Sequence, residues 1–133
     1  MDYGRKRTGL AVTDPLKIIA TPLDTVPTHQ LMDFLKRYAA AEQVECVVVG
    51  EPYQTSGLPS ENLPRVRQFA ARWRKEMPGI PVVFYDERFT SKIAQRAILD
   101  GGVRKEGRKD KALVDRVSAT IILQDYMQSV NNR

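Results

Sequence analysis

An almost uninterrupted apolar run constrains this chain more than any other feature of its sequence. Residues 44–49 read Val-Glu-Cys-Val-Val-Val and are followed by Gly50. A short run that ends at a glycine is typical of a strand covered on both faces, as in sheets packed between helices. Residues 81–85 form a second apolar run. The sequence therefore predicts a central sheet in an α/β fold, with Cys46 packed in the core.

The remaining segments predict elements that surround this sheet. Residues 8–13 and 18–26 are rich in apolar and β-branched side chains and flank the turn pair Asp14-Pro15. They predict an antiparallel hairpin, in which Pro22 favours an edge position. Apolar side chains at helical spacing predict helices over residues 28–41, 60–77, 91–100 and 110–130, with Thr28 and Ser60 as the expected N-caps of the first two.

Size and composition bound the class of protein. The chain has 133 residues, which corresponds to one domain over residues 1–133. No apolar run approaches the roughly 20 residues of a membrane helix, and no secretory signal is visible, so no membrane partner and a cytoplasmic location are expected. One Cys and one His are too few for a disulfide or a typical zinc site. A net charge of +5 favours a polyanionic partner.

Three of the acidic residues stand apart from solvated helix faces and turns. Asp2 lies beside Gly4, where a ligand or a backbone could approach closely. Glu87 follows the apolar run at residues 81–85, at the sheet edge where ligands bind in α/β folds. Asp115 lies in the predicted last helix, and the residues three, four and seven positions later are Ser, Ala and Ile. A carboxylate in such small, apolar surroundings is costly unless it is paired or metal-bound.

Convergence of these three carboxylates would form a hard-cation site. Mg²⁺ prefers a few carboxylates together with water and phosphate oxygens, and two such ions can promote phosphodiester hydrolysis. A structural alternative stays open, because Glu87 could pair with Arg88 and Asp115 could cap the helix or pair with Lys111. Asp2 would then be a terminal surface charge.

Four motifs that span the chain carry a resemblance to a known family. They are Asp2-Tyr3-Gly4-Arg5-Lys6-Arg7-Thr8-Gly9, Val47-Val48-Val49-Gly50, Asp86-Glu87-Arg88-Phe89-Thr90 and Val114-Asp115. In this order and spacing the chain resembles the YqgF-type Holliday-junction-resolvase-like proteins, which are provisionally described as pre-16S rRNA nucleases.

The resemblance implies an RNase H-like three-layer fold with a mixed central sheet, and hydrolysis of nucleic-acid phosphodiesters with Mg²⁺ or Mn²⁺. It implies that Asp2, Glu87 and Asp115 are the catalytic metal ligands. Asp86 would be a helper or an alternate ligand, and Arg88 a phosphate contact or a clamp on Glu87. An ordinary salt bridge at the strand end is the open alternative for both residues.

Two departures from the family pattern affect this site. Only Met1 precedes the first aspartate, where family members usually carry a few apolar residues, so a shortened first strand is expected. Glu51 stands where many relatives have an apolar residue. In the related RuvC-type resolvases the corresponding strand ends in a catalytic glutamate, so Glu51 is either a fourth ligand or a solvated loop residue.

The leading hypothesis is a metal-dependent endonuclease that acts on structured RNA, with branched DNA as the alternative substrate. Basic side chains would contact backbone phosphates; they are Arg5, Lys6, Arg7, Arg104, Lys105, Arg108 and Lys109. A non-catalytic nucleic-acid-binding module is a second hypothesis. A phosphotransferase of the actin and sugar-kinase type is a third, which a chain of this length does not favour. The expected state is a monomer or a weak homodimer.

Overall fold

The computed structural model describes residues 1–52, 60–86 and 111–131. Within these ranges the strands are β1 (Asp2–Tyr3), β2 (Arg7–Thr13), β3 (Ala20–Pro27), β4 (Val47–Glu51) and β5 (Val82–Asp86). The helices are α1 (Leu31–Ala41), α2 (Leu63–Glu76) and α3 (Lys111–Asn131), and a 3₁₀ turn, Thr28–Gln30, precedes α1. The predicted helix over residues 91–100 lies outside the described residues.

Backbone hydrogen bonds on Met1 join the strands into one mixed sheet. β2 is antiparallel to both β1 and β3, whereas β4 and β5 are parallel to each other. The Met1 nitrogen donates to the Val48 carbonyl oxygen at 2.7 Å, and the Gly50 N–H donates to the Met1 carbonyl oxygen at 3.1 Å. In a parallel pair, the N–H and the carbonyl oxygen of one residue bond to two residues of the adjacent strand that are two positions apart. Met1 bonds to Val48 and Gly50 in this way, so β1 and β4 are parallel neighbours. The strand order is therefore β3-β2-β1-β4-β5.

Helices cover both faces of this sheet, which confirms the predicted α/β class. Side chains of β4 alternate between the faces: Val47 and Val49 pack with residues of α1 and α2 in one core cluster, whereas Val48 packs with residues of α3 in another. Trp73 of α2 is 1% exposed and its Nε1–H donates to the Ile80 carbonyl oxygen at 2.9 Å, so it is a core residue as predicted. Cys46 is partly buried against the α3 cluster.

The predicted hairpin is present, but its second strand begins two residues late. Ile18 and Ile19 were expected in the strand and instead lie exposed in the turn. Their N–H groups donate to Asp14 Oδ1 at 2.7 and 2.8 Å. An aspartate that accepts nearby backbone N–H groups replaces strand pairing with a turn.

The predicted N-cap at Thr28 is wrong. Its hydroxyl donates to the Gly4 carbonyl oxygen at 2.7 Å, and its N–H donates to the Lys6 carbonyl oxygen at 2.9 Å. Thr28 therefore does not cap α1: it fixes the turn between β1 and β2 and is the first residue of the 3₁₀ turn that precedes α1. None of the helices in the described ranges is both long enough and apolar enough to cross a membrane.

A cavity of about 310 Å³ continues the line of β1 beyond Met1. Residues 10–13 of β2 line one side and residues 44–48 line the other, and apolar side chains of α3 close it. Strand pairing begins at Val47, whose N–H donates to the Pro81 carbonyl oxygen. The apolar run was predicted to pair from residue 44, and its first residues border this cavity instead.

Extending β1 into this cavity should stabilise the fold. A Val-Leu-Val-Ile segment added before Met1 would continue the register between β2 and β4, and we expect it to raise the free energy of unfolding by roughly 1–2 kcal/mol. Urea denaturation measures the change. A Gly-Ser-Gly-Ser extension is the control, since it has no apolar side chains for the cavity; equal stability of both extended chains would contradict the prediction.

Candidate active site

Strand alternation places Asp2 on the α3 face of the sheet. The Tyr3 ring packs on the Phe69 ring of α2, with 5.6 Å between the ring centroids, and Met1 belongs to the core cluster formed with α1 and α2. Successive side chains of a strand point to opposite faces. The Asp2 carboxyl group therefore lies on the opposite face, which α3 covers.

Gly9 brings the backbone of α3 directly against the sheet at this point. In the antiparallel ladder, Gly9 is the partner of Asp2. A Cβ atom at Gly9 would lie 1.9 Å from the carbonyl oxygen of Asp115 and 2.3 Å from its carbonyl carbon, so no side chain fits between β2 and α3. The sheet register and this close approach together bring Asp2 and Asp115 to one place.

The electrostatics of Asp2 agree with this arrangement. Burial is the largest cause of the raised pKa of the Asp2 carboxyl group; the nearby Met1 amino group opposes the rise, and the negative charge of Asp115 adds to it. A raised carboxyl pKa means that the ionised form lacks compensation from its surroundings. A buried carboxylate with a second carboxylate close by supplies oxygen ligands suited to a hard divalent cation.

Arg7 was predicted to contact nucleic acid, and the structure places it on Asp115. Arg7 Nε lies 2.9 Å from Asp115 Oδ2, and the two side chains are 40% and 23% exposed. The structural alternative for Asp115 had named Lys111, whose side chain lies outside the described atoms. Among the described side chains, the ion-pair partner of Asp115 is Arg7 of β2.

The rest of the basic turn is exposed beside the site. Arg5 and Lys6 are exposed, and Gly4 permits the tight turn because a Cβ there would lie 2.3 Å from the Arg7 carbonyl oxygen. Asn62 Nδ2 donates to the Tyr3 carbonyl oxygen at 2.6 Å and fixes the end of β1 from the side of α2. The backbone of this turn is thus fixed between β1 and β2, and it carries two exposed cations.

Glu51 and Asp86 lie on the other face of the sheet. They are partners at the ends of the parallel strands β4 and β5. Glu51 is two residues after Val49 and therefore lies on the same face as Val49, the face covered by α1 and α2. Its carboxylate lies 3.8 Å from Arg67 Nη2 of α2. Glu51 is therefore neither a loop residue nor grouped with Asp2. Asp86 is two residues after Phe84 and lies on that face as well. This position does not favour Glu51 or Asp86 as a ligand of the same cation as Asp2.

Several predicted residues lie outside the described residues: Glu87, Arg88, Arg104, Lys105, Arg108 and Lys109. Within residues 1–52, 60–86 and 111–131, no group of three or more His, Cys, Asp or Glu side chains is arranged to hold a metal ion. Asp2 and Asp115 supply two carboxylates, and a third from Glu87 stays a prediction.

Comparison with known sequences identifies the family. Residues 1–129 match the RuvX family, which is described as Holliday junction resolvase. The chain belongs to the RuvX family. As a member of this family it is a nuclease, a hydrolase that acts on nucleic acid, and the predicted resemblance is confirmed.

Similar RuvX proteins cover nearly the whole chain. A protein of Phocaeicola vulgatus is 56% identical over 129 residues, which are 97% of this chain and 93% of the relative. Proteins of Porphyromonas gingivalis and Flavobacterium johnsoniae are 55% and 51% identical over 97% of this chain and 94% of each relative. All three are named, provisionally, as pre-16S rRNA nucleases.

Sequence reasoning missed two functional features of this RuvX site. One is the role of Gly9 as the contact that admits α3, for which a glycine inside a strand pattern was the available signal. The other is the ion pair from Arg7 to Asp115, which joins residues 108 positions apart and has no local signal.

Proposed function

We propose that this chain is a divalent-metal-dependent endonuclease that processes the end of the pre-16S rRNA precursor during ribosome biogenesis. The observation that carries the metal dependence is the juxtaposition of Asp2 and Asp115 on the α3 face, with the pKa of Asp2 raised by burial and by the charge of Asp115. The names of the relatives support the RNA substrate. Such a substrate would also place the protein in the cytoplasm.

In this proposal Asp2, Glu87 and Asp115 hold Mg²⁺ or Mn²⁺. The chemistry that a divalent cation supplies in such a site is activation of water and stabilisation of the leaving oxygen of the phosphodiester. Asp2 and Asp115 hold their carboxylates on one face because β1, β2 and α3 fix their backbones. Arg5 and Lys6, on the exposed turn, bind and orient the nucleic-acid backbone.

Resolution of branched DNA is the second candidate function. The description of the RuvX family as Holliday junction resolvase favours it. Both substrates would present backbone phosphates to the same basic turn and to the same carboxylates.

A cleavage assay tests the proposal and separates these candidates. The wild-type chain is incubated with a pre-16S rRNA fragment and with a four-way DNA junction, each with Mg²⁺ and with EDTA. We expect Mg²⁺-dependent cleavage of the RNA. Cleavage of the junction alone would support the second candidate, and binding without cleavage of either would support a non-catalytic module. Cleavage that persists in EDTA would contradict the metal dependence.

The basic turn should contribute to the salt dependence of binding. Each phosphate contact contributes a slope of about 0.7–0.9 to the plot of log K against log salt concentration. Replacing both Arg5 and Lys6 by Gln should therefore reduce that slope by roughly 1.5. Fluorescence anisotropy with RNA at several salt concentrations measures it. Replacing Arg72 and Arg74, which lie in the second half of α2, is the control, and an equal loss there would contradict a specific role for the turn.

A further inference from the structure

The ion pair between Arg7 and Asp115 joins β2 to α3, the helix that carries one ligand of the proposed metal site. Arg7 Nε donates to Asp115 Oδ2 at 2.9 Å, so the guanidinium lies against a carboxylate proposed for cation binding. The Arg7 side chain is 40% exposed. It can therefore leave Asp115 for a ligand at the surface without passing through the core.

The backbones of both residues are fixed. Arg7 is the first residue of β2 and pairs with Pro27 of β3, and the preceding Lys6 carbonyl oxygen accepts the Thr28 N–H at 2.9 Å. The backbone of Asp115 lies against Gly9 with no space for a Cβ atom. Any exchange of partners at this site must therefore take place through the side chains alone.

A divalent cation and the Arg7 guanidinium compete for the same carboxylate. If both bound Asp115 together, the two charges of the cation and the one charge of the guanidinium would lie close together at a single carboxylate. Like charges that lie close together repel one another. A cation that binds Asp115 must therefore weaken the ion pair between Asp115 and Arg7. A guanidinium that is released here carries a donor geometry that matches phosphate oxygens.

We propose that Arg7 holds the Asp115 carboxylate in the absence of a divalent cation, and that cation binding releases its guanidinium to a phosphate of the nucleic acid. Arg7 is then a positioning residue for Asp115 in one state and a phosphate contact in the other. This inference rests on the proposed function, because it takes Asp115 as a cation ligand. It also links the two ligands: cation binding strengthens binding of the nucleic acid, and the reverse by the same factor.

Cation affinity is the first test, and it needs no catalysis. Mn²⁺ binding is titrated calorimetrically to the wild type, to Arg7→Gln and to Arg5→Gln. Arg5 is a matched control, because it belongs to the same turn and is exposed. We expect Arg7→Gln to bind Mn²⁺ about threefold to tenfold more tightly than the wild type, and Arg5→Gln to change the affinity by less than about twofold.

Binding of a structured RNA hairpin, with and without Ca²⁺, is the second test. Without cation, Arg7 is engaged by Asp115, so Arg7→Gln should bind RNA like the wild type. With Ca²⁺, Arg7→Gln should bind about threefold or more weakly than the wild type. Arg5→Gln should lose affinity equally in both conditions. A four-way DNA junction, used as a second ligand, should give the same pattern because it presents the same phosphates.

Two results would overturn the inference. One is an equal effect of Arg7→Gln and Arg5→Gln on Mn²⁺ affinity, and the other is weaker Mn²⁺ binding by Arg7→Gln. If circular dichroism shows that Arg7→Gln does not fold, Arg7→Met replaces it, since it keeps an unbranched side chain and removes the charge, and the same gain in Mn²⁺ affinity is expected. Failure of the proposed function is a different result, in which the wild type binds Mn²⁺ but cleaves neither nucleic acid.

Discussion

In metal-free buffer at neutral pH, the Asp2→Asn variant is expected to unfold at a higher temperature than the wild type. Burial raises the pKa of the Asp2 carboxyl group, and the charge of Asp115 adds to the rise. The ionised carboxylate therefore costs folding free energy that the neutral amide does not. We expect a gain of about 1 kcal/mol, which corresponds to several degrees in Tm.

The sign of this effect fixes its pH dependence. Because the folded-state pKa of Asp2 lies above its unfolded value, the folded protein binds the proton more tightly. The wild type then loses stability as pH rises from the unfolded pKa, about 3.9, through the raised folded pKa. The Tm difference between Asp2→Asn and the wild type should thus be largest at neutral pH and vanish near pH 4. Calorimetric melting in EDTA across this range measures it.

Divalent cations should reverse the order of the two proteins. If the proposed site binds Mg²⁺, excess Mg²⁺ should stabilise the wild type by mass action, by about 2.7 kcal/mol at one hundred times Kd, and should stabilise Asp2→Asn far less. Cleavage of RNA by the variant should fall by at least about a hundredfold. Asp24→Asn is the control, since it makes the same chemical change at an exposed residue of β3. Equal Mg²⁺ responses of Asp2→Asn and wild type would contradict the site.

Asp115→Asn should behave differently from Asp2→Asn in EDTA. Loss of the negative charge at position 115 relieves the repulsion between Asp115 and Asp2, but it also removes the ion pair between Asp115 and Arg7. A partly exposed ion pair contributes about 0–1 kcal/mol, so the two effects are of similar size and opposite sign. The two carboxylates thus share one proposed role and differ in what they cost the metal-free fold.

The sequence predicted those parts of the site that depend on local pattern. Asp115 stood out because a carboxylate was surrounded by small and apolar residues at helical spacing. Asp2 and the apolar run before Gly50 were predicted at sheet positions, and the structure places them there. Each of these inferences needed only the periodicity of one element and the cost of burying a charge.

The position of Glu51 could not be predicted in the same way. Val47, Val48 and Val49 are all apolar because both faces of β4 are covered, so the run carries no alternation that assigns a face to the residue at its end. Only the packing of Val49 against α1 and α2, and the contact with Arg67, place Glu51 away from Asp2. The partner of Asp115 was hidden for a similar reason, since 108 residues separate it from Arg7.

Replacing Gly9 by Ala should have the largest effect on the fold. The new Cβ would lie 1.9 Å from the Asp115 carbonyl oxygen. Neither atom can move by a side-chain rotation, because the Cβ is bonded directly to the β2 backbone and the oxygen belongs to the α3 backbone. α3 would have to move off the sheet, which would separate Asp115 from Asp2. Such overpacking costs about 1–3 kcal/mol, and occasionally more, and we expect loss of cleavage together with a fall in the urea midpoint.

Gly79→Ala is the matched control for this substitution. A Cβ at Gly79 meets no atom within 4 Å, so the variant should keep wild-type stability within about 0.5 kcal/mol. The contrast between the two variants isolates the contact of β2 with α3 from the general effect of a glycine replacement. If Gly9→Ala matches Gly79→Ala in both urea midpoint and Mg²⁺ response, the contact does not position Asp115.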